Sequence, residues 1–121
     1  MNHDEFNAFC ATLPATTYVV QWRGSHVWKV GGKVFAIGTR ADGRPAFTFK
    51  VSDLSYDILK DQPGLRPAPY LASRGMKWIQ HYDEPGLSDA ELKDYLQESH
   101  RIVSLGLSQK QQKALGLNLK D

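Results

Sequence analysis

The spacing of hydrophobic and polar positions changes several times along this chain, and each change marks an element. Phe6, Phe9, Cys10 and Leu13 recur at i, i+3, i+4 and i+7, which is one stripe of a helix. Asn2 with Glu5 three residues later forms a capping box at its start, and Pro14 ends it. Thr17 to Trp22 is β-branched and aromatic and reads as a first strand, closed by a turn at Arg23-Gly24-Ser25. The stretch Val27 to Ile37 reads as two strands folded back around Gly31-Gly32, where a two-residue loop needs φ > 0. Counting outward from that turn predicts Val30 opposite Lys33, Trp28 opposite Phe35 and His26 opposite Ile37. The predicted core face is then Trp28, Val30, Phe35 and Ile37, with Val27, Lys29, Val34 and Ala36 behind it.

A polar turn with Asp42-Gly43 at its tip leads into a second hairpin. From Ala46 to Val51 the alternation sends Phe47, Phe49 and Val51 to one face and Thr48 and Lys50 to the other. Ser52 or Asp53 caps a short helix carrying Leu54, Ile58 and Leu59, which stops before Pro63-Gly64. Leu65 to Tyr70 holds two prolines, so it is neither helix nor central strand and belongs on the surface. Residues 70–74 form one turn, and Lys77 to Tyr82 is the last strand. Ser88 with Glu91 caps a long helix whose stripe is Leu92, Tyr95, Leu96, Ile102 and Val103, with Ser99 as a small residue inside it. A second box at Ser108 starts a short tail helix, and the chain frays from about residue 116. This order predicts an α+β fold, an antiparallel sheet with helices packed on one face, in a single domain spanning 1–121.

Composition narrows the setting. The chain has 121 residues, enough for one core without disulfide or metal, and its single Cys10 falls on the buried stripe of the first helix. No window reaches the length of a membrane span, and the start is acidic rather than basic and apolar, so a soluble, cytoplasmic protein with no membrane partner is expected; a monomer is expected besides. The net charge is +2, but its distribution is uneven. Residues 21–80 hold ten basic against four acidic side chains, whereas residues 83–98 hold six acidic against one basic. Such a split predicts one basic and one acidic surface.

Phe9 to Pro14, Val30 to Ala36, the strand end at Lys50, Arg66 to Leu71, Trp78-Ile79 and Leu87 to Val103 together resemble the MmcQ/YjbR-like family in order and spacing. The resemblance implies a double-wing, CyaY-like α+β fold and a DNA-binding module rather than an enzyme. The run Ala72 to Lys77 departs from the more polar segment usual there. Through the fold analogy with frataxin-like proteins, the resemblance also raises an iron role for Asp89, Glu91, Asp94 and Glu98, although their spacing is that of a solvated helix face.

Taken on their own chemistry, Lys29, Lys33, Lys50, Arg66, Arg74 and Lys77 are candidate phosphate contacts, and Tyr70 and Trp78 candidate stacking groups, for double-stranded DNA. No recognition helix rich in base-reading side chains is evident, so phosphate contacts dominate this expectation. The alternative is a protein- or small-ligand-binding module using the Pro-rich loop, Tyr70 and Trp78. His3, His26, His81 and His100 lack metal-ligand spacing, and no nucleophile-elbow, Walker or dinucleotide motif is present. The sequence therefore predicts no catalytic residues, no cofactor and no metal.

Overall fold

The structure, a computed structural model, describes residues 1–69, 71 and 75–117. Its order is α1 (His3–Thr12), β1 (Thr16–Gln21), β2 (Ser25–Val30), β3 (Lys33–Ala41), β4 (Arg44–Lys50), α2 (Asp53–Leu59), β5 (Leu65–Pro67), β6 (Trp78–His81), α3 (Asp89–Leu105) and α4 (Gln109–Ala114). The strands form one six-stranded sheet in the order β1-β2-β3-β4-β6-β5, and every neighbouring pair is antiparallel. The α+β class with an antiparallel sheet is thus as the sequence predicts. The capping boxes at Asn2, Ser88 and Ser108 all form.

One face of the sheet carries the main core. Phe6 and Cys10 of α1, Leu13 at its C-cap, and Leu92, Leu96 and Val103 of α3 pack on Trp28, Val30, Phe35, Phe47, Phe49 and Ile79. Burial pushes the Cys10 thiol up to about 12, so it is a protonated packing group. The short edge strand β5 rescues part of the proline-bearing segment that the sequence places on the surface, for Leu65 and Ala68 are buried. A proline is tolerated there because an edge strand needs ladder bonds on one side only. The turn expected over residues 70–74 lies largely outside the described residues.

The central hairpin turns at Gly31-Gly32 as predicted, with φ of 59° and 80° and Val30 opposite Lys33. Lys29 opposite Val34 follows the same count, but from Trp28 outward the predicted register is wrong. A bulge at Phe35 shifts the ladder, so Trp28 faces Ala36, Val27 faces Ile37 and His26 faces Gly38. Phe35 and Ala36 both enter the core, while Ile37, assigned to the core face by simple alternation, turns to the opposite face. One extra residue in a strand does this, because side chains otherwise alternate strictly. The bulge is held from above by Ser99 of α3, which is fully buried. Its hydroxyl donates to the Phe35 carbonyl at 2.6 Å and accepts the Lys50 amide at 2.8 Å.

Gly38 is where α1 comes closest. A β-carbon at that position would stand 2.9 Å from Cε2 of Phe6. Gly38→Ala is therefore expected to lower stability by about 1–3 kcal/mol in denaturant unfolding, through overpacking. In a Phe6→Leu background the same substitution should cost less; an equal cost in both backgrounds would show that the ring is not the obstacle.

Three histidines have their pKa shifted toward the neutral form. Burial lowers the pKa of His26, His81 and His100 below the ordinary 6.5, with the neighbouring His3 adding to the effect at His26. His100 donates its Nε2 proton to the Pro14 carbonyl at 2.7 Å. Because the unfolded chain binds protons more readily at these sites, their contribution is complete above pH 6.5 and is lost as pH falls through the folded values. Asp89, Glu91 and Glu98 are shifted downward too, but their contribution disappears only near and below about pH 4. The melting temperature should thus fall between neutral pH and pH 5; a flat or rising profile across that window would contradict the histidine assignment.

Candidate functional site

Among the described residues no helix lies on the other face of the sheet, and the register determines which side chains it displays. Partnered residues share a face, so Val27 and Ile37, Lys29 and Val34, Ile37 and Thr48, Thr48 and Gln80, Lys50 and Trp78, and Arg66 and Gln80 all fall on this side. Pro69, Leu71 and Met76 border it from one flank, and Trp22 borders it from the β1–β2 turn. That turn places two successive non-glycine residues, Trp22 and Arg23, in the left-handed region at φ 51° and 63°. Such geometry is unfavourable for side-chain-bearing residues. It leaves the Trp22 indole 57 % exposed beside the sheet.

A cleft of about 720 Å³ runs along this face. Its floor includes Thr48, Gln80 and Ile37, and Trp22 and Leu71 flank it. Both flanking residues also border a second hollow of about 350 Å³ that reaches Lys33, Lys50 and Trp78. Thr48, Gln80 and Ser25 are buried polar residues, an uncommon choice for a sheet face unless something polar is met there. Arg66 is the best-positioned cation. Its Nε donates to Gln80 Oε1 at 2.9 Å, and its guanidinium sits 4.2 Å from the Tyr82 ring centroid. No carboxylate pairs with it among the described residues. Stacking and one hydrogen bond orient the fork without neutralising it.

The predicted site residues divide accordingly. Lys29, Lys50 and Arg66 lie on the helix-free face, and Lys33 borders the hollow that Lys50 also borders. Lys33 donates to the Gly106 carbonyl at 3.3 Å, at the C-terminal end of α3. Lys77 does not join them: its ammonium turns toward α2, 4.6 Å from the Tyr56 ring centroid. Trp78 is on the right face but is only 5 % exposed, so it cannot act as the exposed stacking group the sequence suggests. Its Nε1 is buried with no hydrogen-bond partner among the described residues. Tyr70 and Arg74 lie outside the described residues.

Sequence reasoning missed Trp22, Ile37, Thr48 and Gln80 as site residues. Thr48 was legible as facing away from the core, and Gln80 follows two residues after Trp78 in the same strand. Ile37 was hidden by the bulge. Nothing in the residue pattern signals that the turn holds Trp22 over the sheet.

The acidic side chains of α3 occupy the opposite layer, whereas Asp42 lines the cleft, as Arg40 does. Asp89 pairs with the Met1 amino group at 2.9 Å, Glu91 caps α3 by accepting the Ser88 amide, and Glu98 binds Arg101. These contacts lower the pKa of Asp89, Glu91 and Glu98. Among the described residues no group of three or more His, Cys, Asp or Glu converges in a way that could hold a metal. Among the described residues no helix is long and apolar enough to cross a membrane.

Residues 11–102 match the YjbR family. The uncharacterised protein YbdF of Escherichia coli O157:H7 is 32 % identical over 89 residues, a match covering 72 % of this chain and 70 % of that protein. The fold resembles the crystal structure of Deinococcus radiodurans protein DR2400, of domain DUF419, with a TM-score of 0.84 at 19 % identity, over 97 % of this chain and 89 % of that one. A Pseudomonas syringae protein aligns with a TM-score of 0.67 at 19 % identity, over 84 % and 98 % of the two chains. The central hairpin, the bulge, Lys50, Arg66 and most of α3 all fall within the matched stretch, and the chain belongs to the YjbR family.

Proposed function

We propose that this protein is a non-enzymatic, cytoplasmic DNA-binding protein whose helix-free sheet face meets the phosphate backbone. One observation carries the reading: Lys29, Lys50 and Arg66 project from that side and Lys33 stands at its end, by the hollow that Lys50 borders, all four without a carboxylate partner among the described residues, while the acidic groups of α3 lie on the other layer. Lys29 and Arg66 are four strand positions apart, roughly 19 Å at the usual spacing, so the cations spread over a surface rather than gather at a point. That distribution suits a polyanion and orients it before contact. It supplies no base readout, and the proposal is for binding governed by the backbone.

Four such contacts predict a slope of log K against log salt of about −3 to −4 for a short duplex. Changing Lys29, Lys33 and Lys50 together to Gln should flatten the slope to about −1. Stability should change by no more than about 0.5 kcal/mol, as for surface substitutions. Absence of duplex binding at low salt, or an unaltered slope in the triple variant, would reject the reading.

The cleft favours a second reading, a site for a small amphipathic anion. Its about 720 Å³ lies in the ordinary range for small-ligand sites, and the oriented Arg66 fork sits beside apolar Ile37 and Leu71. An aromatic carboxylate such as 2-naphthoate, followed by amide chemical shifts, should perturb Thr48, Arg66 and Gln80. Arg66→Gln should weaken it by about tenfold or more, the worth of one charged hydrogen bond. Lys29→Gln should leave it unchanged, and equal binding of an uncharged naphthalene analogue would reject this reading while leaving the DNA experiment to stand alone.

A further inference from the structure

The two edges of the sheet are built differently. β5 is three residues long, contains Arg66 and ends in Pro67, and Pro69 follows closely. A short strand bearing proline and charge is how proteins prevent an edge from recruiting another strand. β1 has none of these guards. It is six residues long without proline, and residues 13–22 hold no charged side chain and only Pro14, outside the strand. Its surface is also apolar: Tyr18 is 45 % exposed, Val19 37 %, Val20 52 % and Trp22 57 %. These four fall within five consecutive positions; the other exposed large hydrophobic residues are Leu54 and Ile58, one turn apart on α2, and the isolated Met76 and Leu115.

We propose that β1 is the interface of a homodimer, in which two copies pair antiparallel and join their sheets into one. The occupant is a second copy because the strand is complementary to itself. A two-fold axis normal to the sheet must set residues of the same face opposite one another. Tyr18 and Val20 belong to the helix-covered side and Thr17, Val19 and Gln21 to the other, as their β2 partners show. Placing the axis at Val19 puts Val19 against Val19, Tyr18 against Val20 and Thr17 against Gln21. The two exposed side chains on the helix-covered side then cover each other. Moving the axis to Tyr18 would instead set Val20 against Thr16. Neither copy brings a charge to the seam, so pairing incurs no like-charge repulsion.

The result is a twelve-stranded sheet with both helix-free faces on the same side. Two copies of the Lys29, Lys50 and Arg66 set then share one surface, although the dimer itself does not rest on the DNA reading. A single strand pair is a small interface, so association is reversible and concentration-dependent.

Sedimentation equilibrium of the full chain, without DNA, tests this from low-micromolar to near-millimolar concentration. The mass is expected to rise from 13.6 kDa toward twice that value. Val20→Lys and, separately, Thr17→Lys should weaken association by about tenfold or more, each charge facing an apolar or uncharged partner. Leu54→Lys, at a residue 72 % exposed on α2, should leave it unchanged. Two substitutions guard against one that unfolds the chain, and circular dichroism verifies each. In a sample mixed from labelled and unlabelled chains, intermolecular contacts between Tyr18 and Val20 should appear. A mass of 13.6 kDa throughout, a dimer indifferent to both β1 charges, or a dimer lacking those contacts would overturn the proposal.

Discussion

The Ser99 hydroxyl is the contact on which the rest of this architecture depends. Fully buried under α3, it donates to the Phe35 carbonyl and accepts the Lys50 amide, so one side chain joins a helix to two adjacent strands. A bulge leaves backbone groups that a regular ladder would satisfy, and a buried group without a partner costs about 1–3 kcal/mol. Ser99 satisfies such a group where no water reaches. The residue is small for the same reason it is polar: a larger side chain there would hold α3 away from the sheet.

What the bulge changes is the identity of the two faces. It commits Phe35 and Ala36 together to the core and sends Ile37 to the helix-free side, beside Thr48. The helix-free face therefore begins with an apolar floor that carries polar neighbours, and Lys29, Lys50 and Arg66 project from the same side at its margins. With the acidic groups of α3 on the far layer, charge is separated across the thickness of the molecule. At physiological ionic strength the Debye length is about 8 Å, comparable to the distance between layers, so the α3 carboxylates only weakly offset the cations of the helix-free face.

Much of this was legible in the residues because local rules and tertiary packing agree. The Asn2, Ser88 and Ser108 caps, the Gly31-Gly32 and Asp42-Gly43 turns and the alternation through Phe47 and Phe49 each follow from short-range chemistry. The family resemblance rests on the same segments. What could not be read was the bulge, because it is imposed by a serine 64 positions away in sequence. From that one error followed the wrong faces for Ala36 and Ile37. Trp78 and Lys77 failed differently: alternation gives the side of a sheet correctly, but it does not say what lies over a side chain or which aromatic ring captures a cation. Trp22 was invisible because its exposure comes from left-handed backbone rather than from any periodic pattern.

Amide hydrogen exchange at Lys50, measured in the native chain and in Ser99→Ala, probes the stitch at the atom it serves. In the native chain the Lys50 amide is expected to open only with global unfolding. In the variant that amide should exchange far faster than those of neighbouring β3–β4 ladder positions. A Lys50 amide equally protected in both proteins would contradict the claim that this hydroxyl holds the bulge and, through it, the two faces of the sheet.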